Sequence, residues 1–197
     1  MAELTLISTL YSFQPIVASV TALSPSKIVL VVAEESMEKD VVKKDLEKVK
    51  QTYGGIAELK IVKVKGADLL SIAKKTVELL EAEKNDVVVN VSGGWKLLAQ
   101  GVLYGCYAYP ELVKRIVCND IETGKLVELP KLSYGLTKSK RELLEVISKR
   151  NGKSISEIAE KMGKTRGMLY QHLKELKDMG YVDDKFFITD AGRLALL

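Results

Sequence analysis

The chain has 197 residues, 47% hydrophobic and 28% charged, with a formal net charge of +4. That is ordinary for a soluble globular protein, and the length suits one large domain or two smaller ones. No stretch approaches the roughly 20 apolar residues needed to cross a bilayer, and the first apolar run, Leu4 to Leu10, is too short and lacks a basic flank for a signal peptide. A cytoplasmic location with no membrane partner is expected.

The two cysteines, Cys106 and Cys118, offer no Cys-x-x-Cys pair and sit in apolar or strand-like surroundings, so both read as small buried hydrophobes. The single histidine, His172, lies far down the chain. A Cys/His zinc site is therefore excluded, as is histidine-dependent catalysis in the first domain. No metal and no cofactor is expected. The charge is segregated: residues 1–130 carry 16 Lys/Arg against 17 Asp/Glu, a net of −1, while residues 131–197 carry 14 against 9, a net of +5. The last third is thereby directed toward a polyanion.

In chain order, Leu4 to Ser8 reads as a strand and Pro15 to Leu23 as a helix, with proline in its first turn. Lys27 to Ala33 is a β-branched run typical of a buried strand. Met37 to Tyr53 has the helical period through Val41, Val42, Leu46 and Val49, and Gly54-Gly55 ends it. Glu58 to Lys65 is a strand, Asp68 to Glu83 an amphipathic helix, Asp86 to Val91 another buried strand, and Trp95 to Tyr109 an apolar helix. Lys114 to Asn119 and Leu126 to Leu129 flank a Glu-Thr-Gly-Lys turn and form a closing hairpin. The expected fold is α/β: a Rossmann-like, mostly parallel six-stranded sheet over residues 1–130. Residues 131–136 make a short linker, and residues 137–197 form a second domain.

In a parallel sheet of this kind, ligands bind beyond the carboxyl ends of the strands where strand order reverses. With the order 3-2-1-4, that point lies between the first and fourth strands. Hydroxyl-rich Ser8-Thr9-Leu10-Tyr11-Ser12 follows the first, and Ser92-Gly93-Gly94-Trp95-Lys96 follows the fourth. Two glycines permit close backbone approach, the following helix start offers N–H donors, Lys96 adds a charge and Trp95 an aromatic face. An isolated Gly-Gly favours a plain tight turn; the adjacent lysine and the polar loop opposite shift the reading to a phosphate-bearing nucleotide. Neither Gly-x-x-x-x-Gly-Lys nor Gly-x-Gly-x-x-Gly is present, which argues against ATP hydrolysis and hydride transfer.

The run Val-Asn-Val-Ser-Gly-Gly-Trp-Lys-Leu-Leu resembles the signature loop of CRISPR-associated Rossmann-fold (CARF) domains, and Ser8 to Ser12 corresponds to their other ligand-contacting segment. The closing hairpin and trailing helical domain resemble the transcription-factor branch of that family. The resemblance implies a homodimer whose two crevices form one pocket on the twofold axis, binding a cyclic oligoadenylate, most often the four-membered ring. It carries ligand contacts onto Ser8, Thr9, Leu10, Tyr11, Ser12, Ser92, Gly93, Gly94, Trp95 and Lys96. This chain has Trp95 where smaller residues are frequent in the family, and Asn90 where an acidic residue often sits.

The second domain reads as a winged helix-turn-helix. Lys138 to Lys149 is a helix with Leu143, Leu144 and Ile147 inward, and Ser154-Ile155-Ser156-Glu157 is a capping box opening a short helix that ends near Gly163. Thr165 caps a third helix whose Leu169, Leu173 and Leu176 form a core stripe. Arg166, Tyr170, Lys174 and Lys177 share the opposite side, with Gln171 nearby. Tyr181-Val182 and Phe186-Phe187-Ile188 flank an Asp-Asp-Lys turn as the wing, and the chain ends in this small β-signal. Double-stranded DNA is the expected partner, with Thr165, Arg166, Tyr170, Gln171, Lys174 and Lys185 as contacts. The competing account is a solvated helix face on a protein-interaction domain.

The leading reading is a transcriptional regulator whose DNA affinity depends on cyclic oligoadenylate. An alternative is a metal-independent ring nuclease, in which a ribose 2′-hydroxyl attacks the adjacent phosphate and Ser8 and Lys96 take the aligning and charge-stabilising roles. A third keeps the regulator but gives it another nucleotide.

Overall fold

Strands buried on both faces need a helical layer on each side, and the alternation of strand and helix supplies them. The computed structural model describes residues 3–120, 122–132, 136–149 and 154–196. Among these, β1 (Leu4–Thr9), β2 (Lys27–Ala33), β3 (Glu58–Val64), β4 (Asp86–Asn90), β5 (Arg115–Asn119) and β6 (Leu126–Leu129) form one sheet in the order β3-β2-β1-β4-β5-β6. The first five are parallel, and β6 closes the edge antiparallel to β5. The expected Rossmann-like sheet with its closing hairpin is the fold found.

Four helices flank it: α1 (Gln14–Leu23), α2 (Asp40–Tyr53), α3 (Leu69–Ala82) and α4 (Lys96–Ala108). Strand alternation sends Ile28, Leu30 and Val32 to a core shared with Ile16, Val42 and Leu46 of α1 and α2. Val29, Val31, Val87 and Val89 face the other core, with Ile72 of α3 and Leu98 and Val102 of α4. The seam between α3 and α4 is unusually tight. A methyl on Gly101 would stand 2.7 Å from Ile72 Cβ, and one on Gly105 2.6 Å from Thr76 Cβ. Helix α2 starts later than its hydrophobic period suggests, because Glu34–Ser36 form a 3-10 turn and Lys39 is extended before Asp40.

The chain divides into two compact units, Met1–Leu129 and Pro130–Leu197. Of the expected linker, residues 133–135 lie outside the described residues, while Leu132 and Leu136 pack against the core of the second unit. That unit contains α5 (Lys138–Ser148), α6 (Ile155–Lys161), α7 (Arg166–Asp178) and α8 (Asp190–Ala195). Leu143, Leu144, Ile158, Leu169, Leu173, Leu176 and Tyr181 form its core.

Two features differ from expectation. The wing contracts to a single bridge, Val182 with Ile188. Asp183 Oδ1 accepts the N–H groups of Lys185 at 2.9 Å and Phe187 at 2.8 Å, and Phe186 turns left-handed at φ 59°, so the connection folds before a longer ladder can form. The chain also does not end in β-structure. Helix α8 follows, started by Thr189, whose Oγ1 accepts the Gly192 N–H at 3.2 Å. Arg141 closes its far end by donating to the carbonyls of Ala195 at 3.0 Å and Leu196 at 2.8 Å.

Candidate functional site

Strand order reverses between β1 and β4, whose registers place Ser8 beside Asn90. The two loops beyond these strands touch backbone to backbone. A methyl on Gly93 would overlap the Thr9 carbonyl oxygen, and Gly94 sits at φ 82°. The glycine pair thus has a structural reason before any ligand is considered: one residue permits loop contact, the next makes the turn into α4. The outcome is still a single surface at the switch point, formed by both expected segments.

Within it the candidates divide. Ser8, Thr9 and Leu10 are fully buried. Ser8 Oγ donates to the Thr9 carbonyl at 3.3 Å, Thr9 Oγ1 donates to the Asn90 carbonyl at 3.4 Å, and Leu10 belongs to the α1–α2 core. Gly93 is buried; Tyr11, Ser12, Ser92, Gly94 and Trp95 are half-buried; Lys96 is exposed. Trp95 precedes α4 without a side-chain cap, and no acidic residue stands in the first helical turn. That helix start keeps its positive end for an anion.

Ser92 is tied inward. Its N–H and hydroxyl donate to Asn90 Oδ1 at 2.8 and 2.5 Å, and its Oγ accepts the Asn119 N–H at 2.6 Å. Asn90 is itself fully buried, and its Nδ2 reaches Asn119 Oδ1 at 2.8 Å and also Ser19 Oγ. An amide supplies both the donors and the acceptor this knot needs, where a carboxylate would supply acceptors alone. Asn90 therefore sets the path of the Ser92–Gly93 turn by joining it to α1 and β5.

Three further contacts escaped sequence reasoning. The Lys39 ammonium lies 4.6 Å from the Trp95 ring centroid and 5.6 Å from that of Tyr11. Glu35 Oε2 accepts the Gly66 N–H at 3.0 Å, and a methyl on Gly66 would come 3.3 Å from Trp95 Cε3. Asp45 accepts the Phe13 N–H at 3.0 Å and fixes the β1 loop; its hydrogen-bonded partner Lys48 chiefly holds its carboxyl below the usual range. The loops after β2 and β3 thus reach the same carboxyl edge, and Trp95 meets both. The signal was available in outline, since every β–α loop of a parallel sheet ends on that edge. Cys106 plays no such part: burial pushes its thiol up to about 12.

In the second unit, the capping box is present. Ser154 Oγ accepts the Glu157 N–H at 3.3 Å and Glu157 accepts the Ser154 N–H at 2.6 Å. Thr165 Oγ1 accepts the Met168 N–H at 3.3 Å, which starts α7. Thr165, Arg166, Tyr170, Gln171 and Lys174 are exposed along α7, as is Lys185 on the wing turn. Lys177 instead pairs with Asp184 of the turn at 2.7 Å. Tyr170 meets Phe186 edge-on at 6.4 Å and is 51% exposed as a residue. Met168, half exposed on the first turn of α7, is a surface apolar residue the polar pattern did not single out. His172 is half-buried, and its Nδ1 has no hydrogen-bond partner among the described residues. Among the described residues no helix is long and apolar enough to cross a membrane.

Residues 137–184 match the family model of the bacterial regulatory proteins of the arsR family. That span runs from the start of α5 into the wing turn. Among solved structures, Can2 from Sulfobacillus thermosulfidooxidans, determined in complex with cyclic tetra-adenylate, is similar at 15% identity and a TM-score of 0.50. The match covers 98% of this chain and 63% of Can2. Enterococcus italicus Csm6, bound to cyclic hexa-2′-fluoro-hexa-dAMP, is similar at 11% identity and a TM-score of 0.55, over 94% of this chain and 56% of Csm6. The chain therefore spans less than two thirds of either protein, and at these identities the likeness is one of fold. No curated protein matches the sequence.

Proposed function

We propose that this chain is a transcriptional regulator that binds a cyclic oligoadenylate, with cyclic tetra-adenylate as the first candidate, and binds double-stranded DNA through α7 and the wing. The observation that carries the sensing half is the contact of Gly93 with the Thr9 backbone. It makes the hydroxyl loop and the glycine–tryptophan–lysine turn one surface at the switch point, beside an uncapped helix start. The likeness to Can2 and Csm6 supports the same ligand class. The reading half rests on the arsR-family match and on an exposed, basic α7.

A homodimer brings two such surfaces together around a symmetric ring. Leu97 and Tyr104, both exposed and seven residues apart on one side of α4, offer apolar area for that association. Regulation is favoured over ring cleavage because the Ser8 hydroxyl is buried and donates to a carbonyl, away from any position where it could align a phosphate.

The test is native mass spectrometry of the full chain with a panel of cyclic oligoadenylates, beside a DNA-binding assay with and without them. One ring per dimer and a ligand-dependent change in DNA affinity are expected. A monomer that takes up no ring overturns the sensing half, and cut products accumulating over hours replace it with the nuclease. DNA affinity no greater than that of residues 1–130 alone overturns the reading half.

A further inference from the structure

We propose that Lys39 is a ligand-binding residue of the sensor crevice, holding the Trp95 face in the empty protein and releasing it to a nucleobase while its ammonium turns to a phosphate. The inference rests on the oligoadenylate reading and names two contacts within it.

Lys39 stands in extended backbone at the start of α2, on the loop after β2. It is exposed, and its recorded side-chain interactions are the two rings: Trp95 at 4.6 Å and Tyr11 at 5.6 Å from the centroids. Its neighbour Lys43 is different, paired with Glu38 at 2.7 Å. Among the described residues Lys39 has no carboxylate within ion-pair distance, so its charge remains available to an incoming anion. Of the acids before it on the same loop, Glu38 pairs with Lys43 and Glu35 accepts the Gly66 N–H.

Trp95 is well placed to exchange one partner for another. The ring packs against the sheet core, its Cε3 lies beside Gly66, and the ammonium of exposed Lys39 lies over the ring. An ammonium over an indole at an exposed site is held weakly. A purine stacked on the same face gains more, because base stacking covers apolar area on both rings. A nucleotide presents base and phosphate together, so displacing Lys39 from the ring does not strand its charge. The displaced ammonium has a phosphate within the reach of its own flexible stem. Tyr11 on the hydroxyl loop lies on the other side of that exchange, which links the β1, β2 and β4 loops through one cation.

Trp95 is the sole tryptophan, so indole emission reports the surroundings of this one ring. In the ligand-free 197-residue chain, Lys39→Ala is expected to make Trp95 roughly twofold more accessible to acrylamide quenching, since the cation–ring cover is lost. Unchanged quenching overturns the resting contact, with or without ligand. Cyclic tetra-adenylate is then titrated by calorimetry and by Trp95 emission in parallel. Binding with an emission change is expected for the unmutated chain, with roughly three- to tenfold weaker binding and a smaller salt dependence in Lys39→Ala, and rescue by Lys39→Arg. Calorimetric binding with unaltered Trp95 emission, or equal affinity in Lys39→Ala, overturns the exchange and leaves the functional reading standing. No calorimetric binding of cyclic tetra-adenylate, repeated with each ring of the mass-spectrometric panel, by the unmutated chain overturns both. Thermal unfolding of the variants separates these outcomes from misfolding, because an exposed lysine contributes little to stability.

Discussion

The two candidate sites are built in opposite ways. At the β1–β4 crevice, Ser8, Thr9, Leu10, Gly93 and Asn90 are buried and held by backbone contact or a closed hydrogen-bond knot. On α7, Arg166, Tyr170, Gln171 and Lys174 stand in solvent on a helix positioned from beneath by Leu169, Leu173 and Leu176. The first arrangement suits a small ligand that must find its donors already aimed. The second suits a large polyanion whose contacts can be exchanged one side chain at a time without disturbing the fold. Binding and stability are therefore expected to fall together at the first candidate site and to separate at the second.

The largest test of that contrast is Gly93→Ala. With the new methyl in the Thr9 carbonyl, unfolding stability should fall by about 3 kcal/mol and ring binding should fall with it. Urea unfolding and calorimetry measure the two losses; intact stability with lost binding would break the fusion. Arg166→Ala should show the converse, weakening a specific DNA site by roughly 1–3 kcal/mol if the guanidinium meets a base edge. Its denaturant midpoint should stay within about 0.5 kcal/mol of the parent. Specific binding left intact would remove Arg166 from the interface.

Ser154→Ala sharpens the separation within the second unit. Loss of the capping box should cost about 1 kcal/mol of stability, read as a lower unfolding midpoint. DNA affinity measured well below that midpoint should barely change, because the side chain of Ser154 is committed to the N–H of Glu157 at the start of α6. The smallest effect is expected for Lys185→Ala, which should weaken all DNA about equally and reduce the slope of log affinity against log salt by roughly 1. A sequence-dependent loss there would make the wing a base reader.

The sheet was legible because β2 and β4 are near-continuous aliphatic runs and α2 and α3 between the strands have a clear period. The 3-2-1-4 order then located the crevice from two loops alone. The capping box, Thr165 and the leucine stripe of α7 were legible for a similar reason: each is encoded within a few residues. What stayed hidden depends on residues distant in sequence. Nothing local marks Asn90 as the joint between α1, β5 and the glycine turn, since its partners Ser19 and Asn119 lie on other elements. Nothing in the charged run around Lys39 separates it from Lys43, because the difference is an indole more than 50 residues away. Helix α8 was missed because six residues hold too little periodicity, although Thr189 before Asp190 is a usable cap signal. The wing was overestimated because aromatic residues resemble a strand even where an aspartate folds their backbone into a turn.

The seam of Gly101 and Gly105 against Ile72 and Thr76 also has a mechanical meaning. Loosely packed helices absorb a push at one end by shuffling side chains among several rotamers. This seam has no slack in which to do so, since a single methyl already collides. Helix α4 starts directly beyond Trp95, so a force on the turn meets α3 and α4 as one stiff plate. A displacement of the turn is therefore expected to move α3 and α4 together over the stretch where Gly101 and Gly105 meet Ile72 and Thr76.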